Sequence, residues 1–349
     1  MAKNKVFKTM DGNEAAAYVS YAFTEVATIY PITPSSPMAD HVDAWATNGK
    51  KNLFGQPVKL VEMQAESGAA GAMHGSLETG SLTSSYTASQ GLLLMIPPMY
   101  RIAGSQLPGV MHVSARTVAT HSLSIFGDHS DVMAVRQTGC AMLCAANVQE
   151  AQDFALISQI ATLKSRVPFI HFFDGFRTSH EINKIVPLAD DTILELIPQA
   201  EIDAHRARAL NPEHPVIRGT SANPDTYFQS REATNPWYNA VYDHVEQAMN
   251  DFSAATGRQY QPFEYYGHPQ AERVIILMGS AIGTCEEVVD ELLTRGEKVG
   301  VLKVRLYRPF SAKHLLQALP GSVRSVAVLD RTKEPGAQAE PLYLDVMTA

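Results

Sequence analysis

The stretch Tyr30-Pro31-Ile32-Thr33-Pro34-Ser35-Ser36-Pro37 decides how the first half of this chain folds. Each proline fixes its φ at about −65° and pushes the residue before it into an extended conformation, so we expect Thr33 on a stiff turn. Ser36-Pro37 predicts a helix start, with serine as the N-cap and proline at the first helical position. Free N–H groups at a helix N-terminus suit a small anion. The stretch therefore predicts either an anion-recognition loop or a purely structural turn.

Strand-like segments alternate with helix-like segments around this turn. The predicted strands of the first half are residues 27–30, 58–61, 82–87, 109–114, 141–144 and 167–173. This alternation predicts an α/β fold with a parallel sheet that is covered on both faces. In such folds the chemistry sits in loops that follow the carboxyl ends of the strands. Four polar residues lie at or near such ends: Thr33, Glu66, Arg116 and Asp174.

Proline and glycine set the expected breaks in the pattern. The helix that opens at Ser89-Gln90-Gly91 is expected to stop at Pro97-Pro98. Residues 205–237 contain four prolines and predict an ordered but irregular excursion across the surface. Residues 259–271, rich in Tyr, Pro and Gln, predict a boundary between two domains, 1–257 and 258–349.

The second domain is predicted to hold three strands. These are residues 273–278, 298–306 and 323–329. Three strands make a thin sheet that buries little surface. We therefore expect the chain to be the front part of something longer, or to need a partner that completes it.

Composition excludes several classes of protein. The 349 residues carry a net charge of −8 with 45% hydrophobic content, so the chain can bury a sizeable core and has no footprint for nucleic acid. Its three cysteines show no CxxC spacing, which favours a reducing cytosol. Its apolar runs are too short for a membrane span, and no long apolar core of a signal peptide follows Met1. A cytoplasmic location without a membrane or nucleic-acid partner is the expectation.

Glu66 is the most informative single residue. It enters a run of Gly, Ala and Ser that is poor in helix propensity and has few side chains to pair with a carboxylate. Desolvation there would make Glu66 a proton donor or a partner for a ligand nitrogen. The alternative is an exposed glutamate that the helix dipole favours.

The other candidates each have a structural alternative. Arg116 ends an apolar strand and could clamp a carboxylate through parallel N–H bonds, or form a surface ion pair. The turn at 279–283 lacks the full GxGxxG pattern and a P-loop lysine, which favours a packing turn. Asp128 and Asp131 could bind a cation or simply solvate their loop. The twelve histidines show no metal-binding spacing, so no metal ligand is predicted.

Six longer motifs carry a resemblance: residues 30–36, 62–71, 87–95, 124–129, 171–180 and 330–336. Together they resemble the N-terminal part of pyruvate:ferredoxin (flavodoxin) oxidoreductases, and the similarity covers essentially the whole chain. The resemblance implies a parallel-sheet, pyrimidine-type thiamine diphosphate-binding domain at 1–257. It implies the start of a transketolase C-terminal-like α/β domain, truncated, at 258–349.

The resemblance also implies an activity and residue roles. The family oxidises pyruvate with coenzyme A to acetyl-CoA and CO₂ and passes the electrons to ferredoxin or flavodoxin. By similarity Glu66 holds N1′ of the thiamine aminopyrimidine, with Ile32 and Gln90 also at the cofactor. Thr33 and Arg116 match the positions that bind the carboxylate of pyruvate.

Further parts of the family enzyme are not matched by this chain. The Mg²⁺-diphosphate site and the [4Fe–4S] clusters are expected in other domains, since three scattered cysteines cannot ligate one cubane. The chain alone is expected to be inactive, and a homodimer is expected for the complete enzyme. Two alternatives remain open: another 2-oxoacid as substrate, or a non-catalytic thiamine-binding or assembly module.

Overall fold

The computed structural model describes residues 6–349 as an α/β protein with three sheets. Its strands are β1 Lys8–Met10, β2 Val26–Ile29, β3 Lys59–Glu62, β4 Thr83–Thr87, β5 Val110–Ala115, β6 Ala141–Ala145, β7 Phe169–Asp174, β8 Asn183–Ile185, β9 Phe263–Gly267, β10 Arg273–Leu277, β11 Val299–Val304, β12 Leu306–Arg308 and β13 Ser325–Leu329. Its helices are α1 Gly12–Phe23, α2 Ser36–Thr47, α3 Glu66–Glu78, α4 Ser89–Leu94, α5 Ile96–Gly104, α6 Ser130–Ala134, α7 Val148–Ser165, α8 Asp190–Glu195, α9 Gln199–Ala207, α10 Pro224–Glu232, α11 Asn235–Thr256, α12 Ala281–Thr294, α13 Ala312–Ala318 and α14 Pro341–Thr348.

The main sheet has seven strands in the order β12-β6-β7-β5-β4-β2-β3. All neighbouring strands run parallel except β12, which pairs antiparallel with β6. Strands β5, β6 and β7 are buried along their whole length, as expected for strands covered on both faces. The predicted α/β class and parallel sheet are confirmed.

Two buried helices cover the main sheet, and both begin at polar caps. The Asp11 side chain accepts a hydrogen bond from the Glu14 backbone N–H, and Asn147 does the same for Glu150. Helix α7 is buried over most of its length and packs against α1 and α11. The central part of the core therefore lies between α7 and the sheet.

The second sheet has four strands, in the order β13-β10-β11-β9. Residues 259–271, read from composition as a boundary, contain the strand β9, which pairs antiparallel with β11. The prediction of three strands was therefore wrong by one. The predicted strand at 298–306 corresponds to two strands in different sheets. Strand β11 belongs to the four-stranded sheet, whereas β12 belongs to the main sheet, where Leu306 pairs with Leu143 of β6. The two sheets are thus joined by continuous backbone.

Helix α4 ends at Leu94, before Pro97-Pro98 as expected. These prolines also lie in the first turn of a further helix, α5, which was not predicted and where proline needs no intrahelical donor. The predicted irregular excursion at 205–237 contains α10, which has no buried residue. Within residues 6–349, no helix combines the length and the apolar character that crossing a membrane requires.

Candidate functional site

Four neighbouring strands deliver the candidate site to one edge of the main sheet. Strands β5, β4, β2 and β3 are adjacent and parallel, so the loops after their carboxyl ends meet. These loops and the first turns of the helices after them carry, in that strand order, Arg116, Gln90, Thr33 and Glu66. The structure therefore brings together predicted site residues that lie far apart in the sequence, and Ile32 lies in the same loop as Thr33.

Glu66 is the first residue of α3 and is only 5% exposed. Its carboxyl group lies against Gly91, where an added Cβ would be 2.7 Å from Glu66 Oε1 and 2.8 Å from Thr87 Oγ1. Among residues 6–349 no group donates a hydrogen bond to the Glu66 carboxylate, and the buried Thr87 hydroxyl also has no partner. A buried hydroxyl without a partner is costly, so the Thr87 hydroxyl and the neighbouring Glu66 carboxylate are suited to a ligand that brings its own polar groups.

Arg116 is 7% exposed and ties two of the loops together. Its Nη1 donates to the Thr33 carbonyl oxygen at 2.7 Å and its Nη2 donates to Gln90 Oε1 at 2.6 Å. Its Nε is buried and has no partner in the described part of the chain. Burial lowers the pKa of the guanidinium, and the nearby Asp131 opposes part of that shift. A guanidinium has five N–H donors, so Arg116 keeps donors for an anion.

The turn that carries Thr33 is held from both sides. The Ile32 carbonyl accepts hydrogen bonds from the backbone N–H groups of Ser35 and Ser36, at 2.9 and 3.0 Å. The Pro34 carbonyl accepts from Asn13 Nδ2 at 2.9 Å. The Thr33 side chain is exposed and Ile32 is half-buried. The turn is therefore stiff, as predicted, and leaves the Thr33 side chain accessible.

Asp131 is a site residue whose role sequence reasoning missed. Its fully buried carboxylate accepts hydrogen bonds from the backbone N–H of Ser89 at 2.7 Å and of Arg116 at 3.0 Å. Burial raises its pKa to about 7, although these N–H groups act in the opposite direction. The expected choice between cation binding and loop solvation was wrong, because Asp131 joins the end of β5 to the start of α4. No local sequence pattern predicts hydrogen bonds between residues that lie so far apart in the chain.

Asp174, at the end of β7, links the main sheet to the second sheet through hydrogen bonds. Its carboxylate accepts hydrogen bonds from His129 Nε2 at 2.6 Å, from Ser280 Oγ at 2.6 Å and from Arg331 Nη1 at 2.6 Å. Gly279 lets the carboxylate approach, since an added Cβ there would be 2.9 Å from both of its oxygens. Burial raises the pKa of Asp174, but His129, Arg331 and Ser280 outweigh burial and hold it well below its ordinary value. Residues from three of the sequence motifs thus meet at one carboxylate.

Family models match both halves of the chain. One described as "Pyruvate flavodoxin/ferredoxin oxidoreductase, thiamine diP-bdg" matches residues 18–250, and one described as "Pyruvate:ferredoxin oxidoreductase core domain II" matches residues 271–349. The chain is 85% identical over 98% of its length to the probable pyruvate-flavodoxin oxidoreductase of Escherichia coli K12. It is 61% identical over 98% of its length to the pyruvate:ferredoxin oxidoreductase of Moorella thermoacetica. It spans 29% of the length of both relatives.

Solved structures share the fold. A 2-oxoglutarate:ferredoxin oxidoreductase from Magnetococcus marinus, with 2-oxoglutarate, coenzyme A and succinyl-CoA bound, is 18% identical with a TM-score of 0.70, over 93% of this chain and 58% of that one. A split-gene transketolase is 11% identical with a TM-score of 0.50, over 92% of this chain and 80% of that one. The fold is therefore that of a thiamine diphosphate-binding domain followed by a transketolase C-terminal-like domain. On the family match over most of its residues, the chain belongs to the pyruvate flavodoxin/ferredoxin oxidoreductase family.

Proposed function

We propose that this chain forms part of an enzyme that oxidatively decarboxylates pyruvate with coenzyme A. The products are acetyl-CoA, CO₂ and electrons that pass to ferredoxin or flavodoxin. The names of the relatives and the two matched family models support this activity. The domain division 1–257 and 258–349 belongs to the proposal. The two family models, which match residues 18–250 and 271–349, support it.

The unpaired carboxylate of Glu66 is the observation that carries the proposal. A buried acceptor that faces Gly91 fits the aminopyrimidine of thiamine diphosphate, because the missing Cβ of Gly91 leaves the carboxyl group free to meet a ring nitrogen. Glu66 would hold a proton between its carboxyl oxygen and N1′ of that ring, while Ile32 and Gln90 would contact the cofactor. When bound, thiamine diphosphate supplies the electron sink for loss of CO₂ from a 2-oxoacid.

Arg116 and Thr33 are proposed to hold the carboxylate of pyruvate. The Arg116 guanidinium is already oriented by its bonds to the Thr33 carbonyl and to Gln90, so little side-chain entropy is lost when it binds a carboxylate. The exposed Thr33 side chain adds a hydroxyl donor. Donors that are fixed before the substrate arrives orient it for reaction at its keto carbon.

The remaining parts of the proposal concern what completes the enzyme. Mg²⁺ with the diphosphate and the [4Fe–4S] clusters are assigned to other domains, since a cubane needs four cysteines and this chain has three. Within residues 6–349, no group of three or more His, Cys, Asp or Glu is placed to hold a metal ion. We also propose that the complete enzyme is a homodimer in the cytoplasm.

The test is Glu66→Gln in the assembled enzyme, with exposed Glu287 changed to Gln as the matched control. Because an amide cannot hold the proton at N1′, pyruvate-dependent viologen reduction should fall by roughly 10²-fold or more in Glu66→Gln and stay unchanged in the control. Unchanged turnover in Glu66→Gln would overturn the assignment. Faster wild-type turnover on 2-oxoglutarate than on pyruvate would overturn the choice of substrate.

A further inference from the structure

A second cluster of polar groups lies at the opposite edge of the main sheet. A cavity of about 80 Å³ is lined by Arg166, Arg208, Arg218, His205, Gln106 and Leu77, among others. Arg166 directly follows α7 and precedes β7, and Gln106 precedes β5. Both therefore lie at the amino ends of parallel strands, away from the edge that carries Glu66 and Arg116. This cavity is separate from the candidate active site.

Three buried nitrogen atoms of the cavity-lining residues have no hydrogen-bond partner within residues 6–349. They are Arg166 Nε, His205 Nε2 and Gln106 Nε2. His205 is only 3% exposed, so water outside the protein does not satisfy its ring. Buried polar groups in native proteins are almost always paired, and each unpaired one is destabilising. Three unpaired nitrogen atoms around one cavity indicate that a polar ligand provides their hydrogen-bond partners.

The charge around the cavity is unbalanced. Arg218 forms an ion pair with Glu78, whereas in the described part of the chain neither Arg166 nor Arg208 pairs with a carboxylate. Burial lowers the pKa of Arg208, and the charges of Arg166 and Arg218 lower it further. Burial and Arg218 likewise lower the pKa of Arg166. Like charges confined together repel, so the missing component is an anion.

The size of the cavity limits that anion. One water molecule occupies roughly 10–15 Å³ of accessible cavity volume. The cavity of about 80 Å³ therefore holds several waters or one small ion. Guanidinium groups present planar N–H pairs that match the oxygens of phosphate or sulfate. We propose that this cavity binds a small tetrahedral oxyanion, and that inorganic phosphate fits it best.

The His205 side chain makes the cavity selective for phosphate over sulfate. Burial, followed by the charge of Arg208, lowers the pKa of His205 to about 4, so the ring is neutral at pH 7. The backbone of Ser81 raises the pKa in part. Nε2 is buried without a partner within residues 6–349, so on the neutral ring the tautomer with its hydrogen on Nδ1 presents a lone pair at Nε2. Inorganic phosphate keeps an O–H near neutral pH and can donate it to Nε2, whereas sulfate has none. A phosphomonoester dianion also lacks this proton.

The test is binding of inorganic phosphate to the full-length enzyme by isothermal titration calorimetry, at an ionic strength held constant with NaCl. Wild type should bind a single phosphate per chain at this site, with sulfate and glycerol phosphate weaker. Arg208→Gln should weaken binding by about 10- to 100-fold, because it removes a charge-assisted hydrogen bond. Arg295→Gln is the matched control, since Arg295 is exposed and pairs with Glu291 elsewhere.

Thermal unfolding provides a second readout that does not depend on activity. Without phosphate, Arg208→Gln should be at least as stable as wild type, because it relieves repulsion between the arginines. At a phosphate concentration near the wild-type Kd, phosphate should raise the Tm of wild type and of Arg295→Gln measurably but not that of Arg208→Gln or Arg166→Gln. Equal phosphate binding by wild type and both cavity variants, or no binding by wild type, would overturn the proposal. Sulfate binding as tight as phosphate would overturn the role given to His205.

Discussion

Gly91→Ala tests the geometry around Glu66 without touching its charge. The added Cβ would be 2.7 Å from Glu66 Oε1 and 2.8 Å from Glu66 Cγ, whereas ordinary contact begins at 3.4 Å. The carboxyl oxygen must therefore move by about 0.7 Å, the difference between 3.4 and 2.7 Å. A misplacement of roughly 1 Å can cost about 10²-fold in rate, so we expect a loss of roughly 10- to 100-fold in kcat.

The assay is pyruvate-dependent viologen reduction by the assembled enzyme, together with titration of thiamine diphosphate. Gly283→Ala is the control, because a Cβ at Gly283 in α12 would meet nothing within 4 Å. Both variants should keep the fold, because the three atoms nearest to a Cβ at Gly91 belong to the Glu66 and Thr87 side chains, which can shift without moving the backbone. A Gly91→Ala enzyme with unchanged kcat and unchanged thiamine affinity would refute the reasoning that Glu66 needs its present position.

Three further predictions follow from the same contacts. Arg116→Lys should raise the KM for pyruvate by roughly 10- to 100-fold with a smaller effect on kcat, because lysine lacks the guanidinium fork; steady-state kinetics would contradict this if KM stayed constant. The folded pKa of Asp131 is raised to about 7, so its contribution to the free energy of unfolding is present below about pH 4 and is lost as the pH rises through 7. Urea titrations should show that Asp131→Asn removes this slope, and an identical slope in the variant would refute it. Asp174→Asn should destabilise the protein by about 3 kcal/mol at pH 7, because Arg331 loses a buried partner. Since the folded pKa of Asp174 is lowered, that contribution is present above about pH 4 and is lost as the pH falls; equal urea midpoints for wild type and variant at pH 7 would contradict the prediction.

Much of the fold follows from local signals in the chain. The alternation of strands and helices and the turn at Thr33 depend on neighbouring residues, and both appear in the structure. The predicted cap at Ser36 was wrong by one residue, because α2 begins at Ser36 and Ser35 is its N-cap. The strand β9 escaped prediction because its aromatic residues stand among prolines and glutamines that indicate a boundary. Pro97-Pro98 were interpreted only as the end of α4, whereas they also begin α5, because proline is favourable in the first turn of a helix.

The candidate site was predictable only as a set of residue types at strand ends. Glu66 and Arg116 were recognisable because each follows a strand, and the resemblance to one enzyme family assigned their roles. Asp131 was not, because its hydrogen bonds to Ser89 and Arg116 join residues distant in sequence. The cavity at Arg208 was missed for the same reason, since its arginines and His205 come from separate segments.

The amino-acid sequence alone therefore determined the fold class, the family and the loops in which polar residues would lie, because periodicity and turn chemistry act over a few neighbouring residues. Only the tertiary structure decided which loops are adjacent, through the strand order β5-β4-β2-β3. It also decided that the Glu66 carboxylate accepts no hydrogen bond from residues 6–349, whereas Arg116 is held by contacts to two other segments. Burial and pairing depend on the packing of distant segments, and no local pattern encodes them.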